Sequence, residues 1–180
     1  MSLFTPRSKK VKLSIFEISL FGMFGAFMYA SKVLMEVLPN IHLIGMLTMI
    51  LTIAFRKKAL IPVYIFVVLC GLFGGFNLWW IPYLYIWTVL WGVTMLIPQK
   101  ISKRVACVVY PVVCGLHGLL FGVLYAPAQA LMFNLSFKQT VAWIATGLPY
   151  DIIHCVGNLC AGILVFPLSQ LIKRINKRIM

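Results

Sequence analysis

Residues 139–172 read QTVAWIATGLPYDIIHCVGNLCAGILVFPLSQLI. The stretch is almost continuously apolar, and how it is divided decides the fold. As one straight helix it would run roughly 50 Å at 1.5 Å per residue, well beyond a hydrocarbon core of ~30 Å. The chain therefore has to break. GLP at 147–149 is the expected place, because glycine suits a helix C-terminus and proline the first turn of the next helix. The reading is a short outer helix over about 137–146, followed by a membrane span over about 149–172.

Working outward, similar apolar runs recur along the whole chain. The 180 residues are 62% hydrophobic with a mean hydropathy of +1.00, a composition of an integral membrane protein rather than a soluble domain. Spans are expected at about 14–36, 41–55, 59–75, 81–97 and 105–125, with a longer connection containing APAQALMFNLSFKQ before the last part. The first run has a basic flank like a signal peptide, but its ~20 apolar residues exceed a typical signal core, so it reads as an uncleaved span. The expectation is a single domain, 1–180, folded as an all-α bundle of six transmembrane helices.

The net charge of +13 could suggest nucleic acid, but position argues otherwise. Arg7/Lys9/Lys10/Lys12, Arg56/Lys57/Lys58, Lys100/Lys103/Arg104 and Lys173/Arg174/Lys177/Arg178 hold 14 of the 16 basic residues, and each cluster borders an apolar run. That is the positive-inside pattern. It predicts cytoplasmic N- and C-termini and leaves Lys32, Pro39–His42, Asn77–Trp80 and the 126–148 connection on the outer side.

Polar residues are few enough to matter one by one. Asp151 is one of three acids and His154 one of three histidines. With Asn158 they are spaced i, i+3, i+7, within about 60° on one helix face, beside Tyr150. With the break at 147–149, Asp151 becomes a first-turn residue that faces the positive end of the helix dipole. A plainer reading has Asp151 capping, His154 bonding a carbonyl and Asn158 joining two helices. Three polar groups on one face of so apolar a chain point instead to a lined cavity.

Trp80, Tyr83, Trp87 and Trp91 form a second stripe, within about 80° of one another. An interfacial aromatic belt accounts for Trp80 and Tyr83, but fits Trp87 and Trp91 poorly because they lie roughly 10 and 16 Å further along. Asn77, His117, Gln129 and Trp143 add polar and aromatic groups toward the same outer side. Gly22, Ala26 and Ala30 place a small residue at every fourth position of span 1, suited either to another protein's helix or to packing inside the bundle. The five cysteines show no zinc or CxxC spacing. No P-loop, HExxH or nucleophile motif is present, and three acids are too few for a carboxylate metal cluster. No metal or cofactor is expected.

These features, with AFMYA at 26–30 and GLPYDIIHCVGNLCAGILVFPLSQLIKR at 147–174, resemble the substrate-binding S-components of energy-coupling factor (ECF) transporters. The resemblance covers essentially the whole chain and is strongest over 147–174. It implies a subunit of a bacterial plasma membrane that binds a vitamin or related heterocycle at its outer side. It also implies partners: a membrane scaffold and two cytoplasmic ATP-binding subunits, with Ala26 and Ala30, or Gly22 in another register, touching the scaffold. The pocket expected from it uses the 1–2, 3–4 and 5–6 connections and the outer halves of spans 4 to 6; there we expect Trp80 and Trp87 to stack on a ring and Asp151 to accept from a ligand donor. Metal-type S-components begin with a metal-binding histidine, and this chain starts MSLF, so cobalt and nickel are not expected. Two other classes stay open: a small membrane enzyme using Asp151 and His154 as an acid–base pair, and a self-sufficient oligomeric transporter.

Overall fold

A computed structural model describes residues 13–179; the basic cluster at residues 7–12 and the side chain of Arg178 lie outside the described residues. The described chain is helical and has no strand. Eight helices follow one another: α1 (Ile15–Leu34), α2 (Ile44–Phe55), α3 (Leu60–Gly74), α4 (Tyr83–Leu96), α5 (Lys103–Leu119), α6 (Phe121–Phe133), α7 (Phe137–Gly162) and α8 (Val165–Ile179). Two stretches of 31 residues, Ile44–Gly74 and Lys103–Phe133, are long and apolar enough to cross a membrane. A third is obtained if Phe137–Gly162 and Val165–Lys177, bent by 48°, count as one span.

Within the first stretch the chain turns. Arg56 adopts φ 54° and ψ −121°, far from helical values. Phe55, at the end of α2, meets Phe21 edge-on at 5.1 Å, whereas Phe73, at the end of α3, stacks on Tyr29 at 5.3 Å. So α3 climbs beside α1 in the same direction. Gly25 makes this possible, since a Cβ there would collide with Ile65 and lie 3.0 Å from the Pro62 carbonyl. The central helix is α2, apolar all round as a core helix should be; eleven of its twelve residues are buried, against α4, α5 and α8.

One end of the bundle gathers the described basic clusters. Ser14 and Glu17 form a capping box at the start of α1, and the buried Glu17 also receives Lys58 Nζ at 2.5 Å. Arg56 Nη2 donates to the Met95 carbonyl at 2.8 Å, and Trp91 Nε1 donates to the Arg56 carbonyl at 3.1 Å. Lys103, Lys173 and Arg174 line one cleft nearby.

Two expectations from the sequence need correction. The break is not at 147–149. A Ser136/Gln139 capping box starts α7, which then runs unbroken through Gly147 and Pro149 to Gly162, so no separate outer helix exists at 137–146 and Asp151 is not a first-turn residue. An interior proline costs about 3 kcal/mol or more. Close packing of α7 along α5 outweighs it: Gly115 leaves room for Leu159, Gly118 for the backbone at His154, and Gly162 rests on the Pro111 backbone. The helix resets at Ile163–Leu164 instead, where Pro167 has no N–H to offer the Ile163 carbonyl. The connection at 126–139 is also mostly helical. Past a kink at Leu120 the chain continues as α6 and ends in a left-handed residue, Asn134, at φ 50°; good helix formers on both sides outvote Pro127.

The contrast between two glycines of α1 is testable. Gly25→Ala should cost about 1–3 kcal/mol through overpacking against α3. Gly22→Ala, where a Cβ meets nothing within 4 Å, should be neutral or slightly stabilising. Thermal unfolding in mild detergent separates the two.

Candidate functional site

The three histidines, far apart in the chain, converge. His42 precedes α2, His117 sits near the end of α5 and His154 lies in the middle of α7. Their rings surround Trp87 of α4 and Phe121 at the start of α6. His42 and His154 stand edge-on with centroids 4.6 Å apart, and Phe121 is 5.0 Å from His154. Trp87 is 5.9 Å from His42, 5.7 Å from His117 and 5.6 Å from Tyr83. Trp87 and His154 are 1% and 3% exposed. The result is a packed cluster of flat rings from four helices and the loop before α2, called the chamber below.

Polar atoms in this chamber lack protein partners. Among the described residues eight buried side-chain N and O atoms have no hydrogen bond, and six of them belong here: His42 Nδ1, Trp87 Nε1, His117 Nδ1, His154 Nε2, and Asn158 Nδ2 and Oδ1. Each such atom costs about 1–3 kcal/mol if nothing satisfies it. Elsewhere the bundle pairs its polar groups carefully, so the concentration is informative. His117 Nε2 is engaged, 3.3 Å from the Ile86 carbonyl, which fixes the proton on that nitrogen and leaves Nδ1 as an acceptor. Asn158 lies one turn of α7 below His154, held between Gly45 and Gly118.

Above the chamber a cleft of about 200 Å³ is lined by His42, Tyr83, Phe121 and His154, with the 35–41 loop over it. The Lys32–Glu36 ion pair, 2.6 Å long, stands at its rim. The volume is below the ~300–1,000 Å³ of drug-sized ligand pockets. Among the described residues no group of His, Cys, Asp and Glu side chains is placed to hold a metal ion.

Asp151 has a different task from the one its position suggests. Its Oδ1 accepts from the Gly122 N–H at 3.1 Å, so it caps the start of α6 rather than its own helix. That anchors Phe121, and with it one wall of the chamber. No hydrogen bond joins Asp151 to His154 among the described residues, so the geometry gives an acid–base pair no support.

The other expected site residues divide clearly. Trp87, His117 and His154 meet, Tyr83 stands at the rim and Asn158 just below. Trp143 stacks on Tyr125 at 5.9 Å, one ring removed from Phe121. Trp80 turns away: its indole donates to the Val67 carbonyl at 2.7 Å, and its ring meets Phe76. Asn77 is exposed in the 3–4 connection, and Tyr150 is 59% exposed on the far face of α7. Gln129, two turns along α6 from Phe121, makes no side-chain hydrogen bond among the described residues. Sequence reasoning missed His42 and Phe121. His42 could have been suspected as the third histidine of a chain with almost no polar residues; Phe121 carried no signal.

The small-residue stripe of α1 is solvent- or lipid-facing. Gly22 is half-buried, Ala26 and Ala30 are exposed, and Met23 and Phe27 beside them are 59% and 54% exposed. The inward face of α1 is Phe21, Gly25 and Met28, so the stripe is not used for packing inside the bundle.

No protein-family model, curated protein or solved structure matches the chain.

The capping role of Asp151 predicts a graded outcome. Asp151→Ala should lower stability by about 1–2 kcal/mol, and Asp151→Asn, which keeps an acceptor oxygen, by clearly less. Thermal melts of both variants beside the wild type check the order.

Proposed function

We propose that this protein is the substrate-binding subunit of an ECF-type importer in a bacterial plasma membrane. It takes up a vitamin-like heterocycle from outside and hands it on in complex with a membrane scaffold and two ATP-binding subunits. The observation that carries the reading is the chamber of His42, Trp87, His117 and His154, whose polar atoms have no protein partners. A ring lying against Trp87 and offering donors and acceptors at its edge would satisfy them, and would reject analogues that leave one unpaired. The small cleft favours a single ring system, such as a pyrimidine, over a large cofactor.

The proposed topology has six crossings with both termini cytoplasmic. Its support is the gathering of the described basic clusters at one end of the bundle and the chamber toward the other. In this reading α2 and α3, on either side of the turn at Arg56, are separate crossings. At about 39 Å for 26 residues, α7 would stand out of the hydrocarbon core on the outer side. The Gly22/Ala26/Ala30 stripe, exposed at both alanines, is where a scaffold helix would approach closely.

Purification of the tagged full-length chain from its native membranes should recover one polytopic partner and two ATP-binding proteins. Recovery of the chain alone across several gentle detergents would overturn the assignment and favour a solitary oligomeric transporter. The double variant Ala26→Leu/Ala30→Leu should lose the partners while keeping its melting temperature. His154→Ala should keep the partners and lose more than about tenfold in retention of the co-purifying small molecule, whereas Tyr150→Ala should retain it fully.

A further inference from the structure

The basic end of the bundle holds a second cleft, which the import reading does not use. It encloses about 690 Å³ between the 99–103 turn and α8. Lys103, Lys173 and Arg174 line it, with the amides of Gln99 and Gln170 between them. Among the described residues the charges there have no counter-ion within reach. The sequence contains three acids, and all are committed elsewhere: Glu17 to Lys58, Glu36 to Lys32, and Asp151 to the Gly122 N–H. Three cations and two amides therefore converge with no side-chain carboxylate to answer them.

The rest of the lining is apolar. Ile101, Phe166, Pro167 and Leu171 form part of the wall, and Leu171 is 52% exposed. A cationic pocket with an apolar, partly exposed wall matches an amphiphile, with a phosphate on the cations and hydrocarbon along that wall. A free phosphate would use only the first half of that surface.

We propose that this cleft is a binding site for the headgroup of an anionic phospholipid, held by Lys103, Lys173 and Arg174. The inference rests on the apolar helices lying in a bilayer, and is independent of what the chamber binds. A lipid held there would tie the basic end of α8 to the 99–103 turn.

The test is native mass spectrometry of the full chain in detergent, titrated with phosphatidylglycerol or phosphatidylcholine. Phosphatidylglycerol should remain bound at activation energies that strip phosphatidylcholine. The variant K103Q/K173Q/R174Q should lower phosphatidylglycerol retention at least about tenfold, and K57Q/K138Q, which removes charge outside the cleft, should leave it unchanged. Tens of millimolar inorganic phosphate should not displace the lipid. Equal retention by the triple variant would overturn the proposal, as would an equal loss in K57Q/K138Q, which would mean a diffuse surface field. Displacement by inorganic phosphate would make the site one for a soluble anion and would also overturn it. Should the triple variant fail to fold, R174Q alone, at an exposed residue, must cut retention about threefold for the proposal to stand. Failure to recover a scaffold and ATP-binding subunits would bear on the import reading and leave this result untouched.

Discussion

A polar group inside an apolar bundle has only the protein to turn to, and this constraint organises the molecule. Glu17 closes a capping box and takes Lys58. Asp151 reaches across to the start of α6. Trp80, Trp91, Tyr85 and Tyr125 each send their single donor to a backbone carbonyl of another segment. These bonds tie helices together at points far apart in sequence, and they leave little unsatisfied except around Trp87. The chamber is distinctive because the rule obeyed elsewhere lapses there.

Much of the fold could be read from the chain because apolar runs and basic clusters are long-range, redundant signals. The turn at Arg56, the bounds of α1 to α4 within a few residues and the grouping of the described cations all follow from them. The break in the last apolar stretch could not be placed this way. Pro149 and Pro167 look alike as helix breakers, and what separates them is the fit of α7 on the small residues of α5, which is a matter of two helices at once. Three-dimensional packing also decided which members of each stripe face inward. The i, i+3, i+7 spacing did bring Asp151, His154 and Asn158 to one buried face, yet it could not show that Asp151 already had a partner in Gly122. The tryptophan stripe was real as a spacing, but its members divide among three tasks: Trp80 against α3, Trp87 in the chamber and Trp91 at the basic end. His42 lies outside any helical stripe, so no periodicity could assign it.

Asp151 links the two levels. By fixing the α5–α6 kink it sets Phe121, and Phe121 sets the spacing of the chamber's rings. Asp151 thus serves as the support of a wall. The cleft beside His42 and His154 and the basic end lie at opposite ends of the bundle, with the small-residue face of α1 running between them.

The central claim is that a small flat molecule completes the unpartnered polar atoms around Trp87. The most direct measurement is mass spectrometry of what denaturation releases from the protein purified from its native membranes, quantified against mock-purified membranes. The account predicts one ring-bearing compound near one equivalent per chain. Finding no compound above the mock level, with ordered waters bonded to Trp87 Nε1 and His154 Nε2 in an experimental map, would contradict it and make the chamber a hydrated part of the core.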